Sequence, residues 1–158
     1  MATVTSKHSG LRGTNERTVE FLAVRAGHQQ FAVPTPRVRE VMQLQRLVIV
    51  PSMPSYAKGM ITTHGTVVPV VDLAARLGFP ERRPTHRTCI VVVRTESQTV
   101  GDSRLIGLLV DAVSDILVLR PSDIIEAQNS TGRTITAKCR RKRAVKTVLD
   151  VDTLVPAC

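Results

Sequence analysis

The sequence predicts a mainly β protein. Apolar residues recur with a period of two along most of the chain, which is the pattern of strands that bury one face. The strongest apolar runs, residues 89–93 and 105–110, have strand length and fall well short of the roughly 18–20 residues that a membrane helix needs. With three Phe, one Tyr and no Trp, the core must be aliphatic and β-branched, and this composition favours sheet.

The N-terminal part of the chain predicts a hairpin, a helical turn and a strand. Residues 19–25 and 30–33 alternate on either side of a Gly-containing turn and predict the hairpin. The apolar spacing within residues 37–42 fits one face of a short helical turn. Residues 44–50 predict an apolar strand that ends at Pro51.

The next segment predicts two strands and a capped helical turn. Gly59 and Gly65 mark positions where the backbone needs a positive φ or a close approach. Pro69 interrupts an apolar run, so we expect its strand to lie at a sheet edge or to bend at a bulge. Asp72 closes the run and is expected to cap a helical turn over residues 73–77.

The C-terminal half predicts further strands and a last hairpin. Asp111, Ser114 and Asp115 are interpreted as a strand end and turn whose side chains bond the local backbone. Residues 68–77 and 146–155 resemble each other, which indicates either two similar small barrels or a coincidence of amphipathic segments. The predicted strands are residues 88–94, 105–110, 116–120, 135–139 and 144–149, with loops at 96–104 and 128–132.

The net charge of +9 comes mainly from one cluster. The favoured interpretation is a solvated hairpin tip, and the alternative is a contact with an acidic protein, nucleic acid or lipid. Few aromatic residues are available to stack on bases, and no helix-turn-helix or zinc-finger pattern is present, so nucleic acid is disfavoured. The seven basic residues are Arg133, Lys138, Arg140, Arg141, Lys142, Arg143 and Lys146, of which Lys138 and Arg140–Arg143 form a candidate basic contact patch.

No pattern in the sequence predicts catalysis, a metal or a cofactor. Phosphate-binding loops, dinucleotide fingerprints and nucleophile elbows are absent, and the four histidines lack metal-ligand spacing. Three cysteines without CxxC spacing fit a reducing cytoplasm, and Cys89 is expected to be a buried thiol. Residues 1–17 are polar and lack the apolar stretch of a secretory signal, so we expect a flexible arm.

Several segments together carry a resemblance to a known family. In order they are residues 38–41 (VREV), 51–54 (PSMP), 58–61 (KGMI), 64–73 (HGTVVPVVDL) and 106–117 (IGLLVDAVSDIL). Their order and spacing resemble the CheW family, the adaptors of bacterial chemotaxis, over about residues 18–155. The resemblance implies one domain of two intertwined five-stranded SH3-like β-barrels with short helical turns. It also implies a non-enzymatic, cytoplasmic adaptor recruited to receptor arrays at the inner membrane, without membrane insertion or a small-molecule substrate.

The partners implied by this resemblance are the tip of a chemoreceptor and the regulatory domain of a CheA-type histidine kinase. The alternatives are an adaptor of a pilus or developmental pathway and, less favoured, a small barrel that binds nucleic acid. Matching motif positions gives candidates at the receptor or kinase interface or in signalling. They are Val38, Glu40, Gly59, His64, Gly107, Val113 and Ile116.

Two departures from the family pattern affect these expectations. The family usually reads Asn-Leu-Arg-Gly where this chain reads Thr62-Thr63-His64-Gly65. Because the family's Arg is thought to pair with the Glu that matches Glu40, we hypothesise a pH-sensitive pair between His64 and Glu40. The basic residues at the last hairpin replace a Gly-bearing turn, which leaves the surface at that end open to a specialised partner.

Overall fold

A computed structural model describes residues 17–96, 103–126, 135–141 and 144–154. These residues form eleven strands, one short α-helix and three 3-10 turns. The strands are β1 (Val19–Ala26), β2 (Gln29–Pro34), β3 (Val38–Gln43), β4 (Ala57–Thr63), β5 (Thr66–Asp72), β6 (Cys89–Glu96), β7 (Ser103–Val110), β8 (Ala112–Leu119), β9 (Ile124–Glu126), β10 (Ile135–Arg141) and β11 (Ala144–Leu149). The helix α1 is Leu73–Arg76, and the 3-10 turns are Thr35–Arg37, Pro121–Asp123 and Val151–Thr153.

The strands form two sheets that share the chain in an intertwined way. The first has the order β8-β1-β2-β11-β10-β9 and the second the order β3-β6-β7-β5-β4. The chain therefore starts in the first sheet, builds the whole second sheet, and returns to complete the first. Each sheet contains one parallel pair, β11 with β2 and β5 with β7, and its other pairs are antiparallel.

The predicted mainly β class is confirmed, and the SH3-like barrel description fits the two sheets broadly. We refer to them as the first and second barrel. The first has six strands instead of the expected five, because β9 adds to the outer side of β10. The predicted hairpin of β1 and β2 and the last hairpin of β10 and β11 are both present. No helix within the described ranges is long and apolar enough to cross a membrane.

Three apolar cores explain why the central strands read as continuous apolar runs. One core lies between the barrels and takes residues from both, and each barrel adds a core of its own. On β6, Val91 and Val93 enter the shared core, whereas Ile90 and Val92 enter the core of the second barrel. Because successive strand residues point to opposite faces, a sheet buried on both faces needs apolar residues at every position.

The helical turn expected over residues 37–42 is wrong, since this segment is strand β3, paired with β6. The exposure of β3 alternates with a period of two, so Val38, Glu40 and Met42 face inward and Val41 faces solvent, 46% exposed. Because the charged Glu40 occupies an inward position, the apolar residues of this segment do not show the period of two that is typical of a strand. The nearby 3-10 turn lies earlier, at Thr35–Arg37.

The strand expected over residues 44–50 is also wrong. Only Val48 pairs, through an isolated bridge to Met60 of β4. Its neighbour Ile49 is 81% exposed, whereas Leu44 and Leu47 pack against the core of the second barrel. Some apolar residues of this segment thus pack against the core and others face solvent. Composition alone does not distinguish that arrangement from a strand.

The expectations for residues 59–72 hold except for the sheet edge. Gly59 and Gly65 have φ angles of +146° and +78°. The strand of Pro69 was expected at an edge or a bulge; β5 is not an edge strand, because it lies between β7 and β4. Its pairing with β7 covers only Val70–Asp72, however, so Pro69 itself pairs on one side only, with Met60. A register shift lies on β4 instead, between Ala57 and Gly59. Asp72 caps α1 as predicted, since its Oδ1 accepts hydrogen bonds from the amides of Ala74 and Ala75.

The internal similarity has a structural counterpart. Asp150 caps the 3-10 turn after β11 by accepting from the amide of Asp152 at 3.1 Å, as Asp72 caps α1 after β5. Both β5 and β11 belong to the parallel pair of their sheet. The same strand, aspartate and turn therefore recur once in each barrel.

Candidate functional site

A polar contact closes the second barrel. Strands β3 and β4 are the two edges of its sheet. Glu40 of β3 nevertheless accepts a hydrogen bond from the hydroxyl of Thr63 at 2.7 Å, and its other oxygen lies 3.1 Å from Nε2 of His64. Because side chains from opposite edges touch, the sheet must curl until its edges meet. We call the set Glu40, Thr63 and His64 the closure contact.

The turn between β4 and β5 presents the closure contact. Thr63 and Thr66 are the last pair of the ladder, so His64 and Gly65 are the two turn residues. Both have positive φ, +49° and +78°, as the two-residue hairpin turns that match strand twist require. Histidine is one of the few side chains that tolerate this conformation. The turn thus directs His64 toward Glu40, although the imidazole stays 83% exposed.

The electrostatics of the closure contact depend more on Thr63 than on His64. The hydrogen bond from the Thr63 hydroxyl, followed by that from His64, lowers the pKa of Glu40 below its ordinary value. Both bonds favour the ionised carboxylate. The expected contact between His64 and Glu40 is therefore present in the structure. The sequence did not predict Thr63 as a partner of Glu40. Its only indication in the sequence is that it places a hydroxyl beside the turn.

Gly59 is required by the close approach of another backbone. A Cβ built on Gly59 would lie 2.6 Å from the carbonyl oxygen of Val48 and 3.1 Å from Cβ of Leu47. The amide of Met60 donates to that same carbonyl at 2.8 Å, and the amide of Val48 donates back to Met60 at 2.9 Å. Gly59 therefore allows residues 47–48 to lie against β4.

Gly107 is required by side-chain packing. It lies on β7, paired with Val70 of β5 and Val92 of β6. A Cβ at this position would lie 2.9 Å from Cγ2 of Ile90 and 3.2 Å from Cγ2 of Val70, both in the core of the second barrel. Gly59 thus makes room for residues 47–48 beside β4, and Gly107 makes room for Ile90 and Val70 in the core of the same barrel.

The remaining candidates lie at and beside the shared core. Val38 of the second barrel and Val113 of the first are half-buried and both pack against it. Ile116, also on β8, is 53% exposed, whereas Val113 is half-buried against the shared core. The structure therefore places five of the seven candidates in the second barrel and two, Val113 and Ile116, on β8 of the first. Of these seven, it brings Glu40 and His64 into direct contact.

Sequence reasoning missed an ionic cluster where the barrels join. Oδ1 of Asp111 accepts from Nε and Nη2 of Arg82 at 2.9 and 2.6 Å, and its Oδ2 accepts from the amide of Gly27 at 2.8 Å. Nη2 of Arg82 also lies 3.5 Å from the carboxylate of Asp72. Burial lowers the pKa of Arg82, but the hydrogen bonds and negative charges of Asp111 and Asp72 together raise it above the ordinary value.

The local turn expected for Asp111, Ser114 and Asp115 is therefore wrong. Strand β8 begins at Ala112, so Ser114 and Asp115 are strand residues. The hydroxyl of Ser114 donates to the carbonyl of Ala23, and Asp111 binds residues distant in the chain. Short polar side chains are typical of turns, but pairing with β1 makes this segment a strand.

A second ionic contact ties the C-terminal turn to the middle of the chain. The guanidinium of Arg37 donates to both carboxylate oxygens of Asp152, at 2.8 and 3.0 Å, and to the carbonyl of Arg94. Asp152 also accepts from the amide of Glu96 at 2.7 Å. The hydrogen bond to Asp152 raises the pKa of Arg37.

The basic patch and the cysteines complete the predicted sites. Lys138, Arg140 and Arg141 lie on β10, whereas Lys142 and Arg143 lie outside the described residues, as do residues 1–16 and 127–134. Cys89 is a free thiol, half-buried instead of fully buried, and burial raises its pKa. Among the residues that the structure describes, no cluster of His, Cys, Asp and Glu could hold a metal ion.

Comparison with known proteins identifies the family. The family model described as "CheW-like domain" matches residues 20–157. The chain is 42% identical over 105 residues to the "Chemotaxis protein CheW" of Rhizobium meliloti, covering 66% of this chain and 64% of that protein. It is 39% identical over 109 residues to the "Probable chemotaxis protein CheW" of Rhizobium etli, covering 69% and 66%. In each case the match spans slightly less than two thirds of the relative.

A solved structure shares the fold. The scaffolding protein TtCheW from Thermoanaerobacter tengcongensis superposes with a TM-score of 0.78 at 19% sequence identity, covering 86% of this chain and 91% of that one. The superposition covers most of both chains, so the overall fold is shared. Since the family model covers nearly the whole chain, the protein belongs to the CheW-like domain family.

Proposed function

We propose that this protein is a non-enzymatic adaptor of a bacterial chemosensory pathway, coupling the cytoplasmic tip of a chemoreceptor to a CheA-type histidine kinase. The family match over residues 20–157 is the observation that carries the proposal. An adaptor in this role works in the cytoplasm and is recruited to receptor arrays at the inner membrane. It needs surfaces for two partners and no catalytic group.

The architecture supports a division of labour between two surfaces. The join between the barrels, where Val38 and Val113 pack, is the proposed receptor side, because it receives residues from both barrels. The closure contact keeps the second barrel curled. A kinase regulatory domain related to this fold would bind barrel to barrel, which uses exposed strand surfaces.

The exposed apolar residues suit such contacts. Ile116 on β8 and Val67 on β5 are 53% and 59% exposed, and the segment around Ile49 is also apolar and exposed. Scattered exposed apolar residues are normal on a protein surface, so their value is as sites for substitution. A change there removes contact area without disturbing a core.

Isothermal titration calorimetry tests the proposal directly. The protein is titrated with a purified CheA-type regulatory domain and, separately, with a receptor cytoplasmic fragment from the same bacterium. Saturable binding to both is expected. Ile116→Thr should weaken receptor binding, whereas Val67→Thr, which also places a threonine at an exposed β-branched strand position but lies outside the candidate set, should leave it unchanged.

Two results would contradict the proposal. Absence of binding to both partners would exclude the coupling role. Salt-sensitive binding to DNA or RNA that is lost when Arg140–Arg143 are neutralised, without kinase or receptor binding, would favour the nucleic-acid alternative instead. Binding to a kinase and receptor of a pilus pathway only would assign the adaptor to that pathway.

A further inference from the structure

We propose that Arg82 and Phe79 form a clamp that fixes the orientation of one barrel relative to the other. Both side chains lie on the connection between α1 and β6, residues 77–88, which we call the strap. Its consequence for receptor binding rests on the proposed function, because the receptor side lies where the barrels join. The clamp itself is a property of the protein alone.

On the β7 to β8 side the crossing between the barrels is a single residue. Strand β7 of the second barrel ends at Val110, and β8 of the first begins at Ala112, so Asp111 alone connects them. The amide of Asp111 donates to the carbonyl of Arg25, next to the turn between β1 and β2. A rotation between the barrels must therefore change the surroundings of Asp111.

Arg82 joins groups from both barrels at this crossing. Its Nε and Nη2 bind the same oxygen of Asp111, while Nη2 also approaches Asp72, the cap of α1 in the second barrel. The other oxygen of Asp111 holds the amide of Gly27 in the first barrel. The Arg82 guanidinium thus orients the Asp111 carboxylate, which binds the Gly27 amide of the first barrel. The same guanidinium contacts Asp72 of the second barrel.

Phe79 makes the apolar half of the clamp. Its amide donates to the carbonyl of Ala74 at 2.8 Å, which anchors it to α1. Its ring packs edge-on against His28 and Phe31 of the first barrel, with centroid separations of 5.1 and 6.4 Å. A Cβ added to Gly27 would lie 2.8 Å from this ring, so the turn and the ring are in close contact.

The chemistry of Arg82 makes its role specific. The side chain is about three-quarters buried, and it uses two nitrogens of its planar fork on Asp111 and one of them on Asp72. Lysine would keep the charge but has one nitrogen and no fork. Arg82→Lys therefore separates orientation from charge. Arg83, the next residue, is exposed, and Arg83→Lys is the matched control.

The test measures orientation in the free protein. Residual dipolar couplings of backbone amides report the angle between the barrels, and hydrogen exchange reports the Gly27 amide. In Arg82→Lys we expect one alignment tensor to fit each barrel separately but not both together, with Gly27 exchange roughly tenfold faster, the factor for about one charge-assisted hydrogen bond. Arg83→Lys should match the wild type in both.

A second variant guards against a failure to fold. Asp111→Asn keeps an oxygen acceptor for the Gly27 amide but removes the charge that binds Arg82, so it should change the orientation and accelerate Gly27 exchange as Arg82→Lys does. Unchanged inter-barrel couplings in both variants would overturn the clamp. Couplings that change within each barrel, indicating general loosening, would also overturn it.

Receptor binding then separates this inference from the proposed function. A changed orientation with weaker receptor binding supports both. A changed orientation with wild-type affinity supports the clamp and contradicts a receptor site where the barrels join. An unchanged orientation overturns the clamp, whatever the affinity.

Discussion

Replacing Gly59 by alanine gives the sharpest test of how the second barrel is assembled. Gly59 has a φ of +146°, a conformation that side chains other than glycine rarely adopt. The added Cβ would also lie 2.6 Å from the carbonyl oxygen of Val48, closer than real contacts allow. That oxygen belongs to a backbone, so the segment of residues 47–48 must retreat.

The magnitude follows from these two costs. Backbone strain of this kind costs about 1–3 kcal/mol. The retreat lengthens the two hydrogen bonds between Val48 and Met60, now 2.8 and 2.9 Å, each contributing about 0.5–1.5 kcal/mol. Because the losses overlap, we expect the free energy of unfolding to fall by about 2–4 kcal/mol.

Gly65→Ala provides the matched control within the same hairpin. Its φ of +78° is also positive, but a Cβ there would meet no atom within 4 Å. Only the strain of the left-handed conformation remains, about 1–2 kcal/mol.

Urea denaturation followed by far-ultraviolet circular dichroism gives both free energies by linear extrapolation. Hydrogen exchange at the amides of Val48 and Met60 should accelerate in Gly59→Ala and not in Gly65→Ala. Equal destabilisation by the two variants would refute the reasoning, since it would mean that the carbonyl contact contributes nothing.

Three further predictions concern other parts of the site. Gly107→Ala should destabilise by about 1–3 kcal/mol in the same denaturation assay, because its Cβ overpacks against Ile90; a neutral effect would contradict the tight packing. Ile116→Thr should leave the free energy of unfolding within about 0.5 kcal/mol of the wild type while lowering receptor affinity, and a large loss of stability would show that the side chain is structural. The lowered pKa of Glu40 means that its contacts contribute stability above its unfolded pKa of about 4.3, and that this contribution is lost as pH falls through the folded value. Urea midpoints of wild type and Glu40→Gln should therefore differ at neutral pH and converge in acid, and a difference independent of pH would contradict this. Thr63→Val should weaken the acid dependence of the urea midpoint more than a substitution of His64 does, since the Thr63 hydroxyl is the largest cause of the lowered Glu40 pKa and His64 the second.

The candidate site was predictable where a residue's constraint is local. The positive φ of Gly65 and the cap at Asp72 follow from turn and helix chemistry within a few residues. The pairing of Glu40 with His64 came from a family resemblance, because the two residues are 24 positions apart. Thr63 was missed since its hydroxyl acts across the barrel edge, and nothing in its immediate sequence indicates that.

Two of the errors in secondary structure share one cause. Residues 37–42 and 44–50 were interpreted from apolar spacing, but Glu40 faces inward because it has partners there, and Ile49 faces outward. In both segments the deciding neighbour is another part of the chain. The spacing of apolar residues predicts which face of a segment is buried only when the buried positions are all apolar and the apolar positions are all buried.

By itself the sequence determined the mainly β class, the two terminal hairpins, the special backbone positions of Gly59 and Gly65 and the Asp72 cap. Each of these depends on backbone conformation, local hydrogen bonds or the period of a strand. Only the tertiary structure decided the sixth strand, the role of Thr63 in the closure contact and the ionic cluster of Asp72, Arg82 and Asp111. These features join residues that are brought together when the two barrels pack around a shared core, and a charged side chain does not reveal its partner before that core exists.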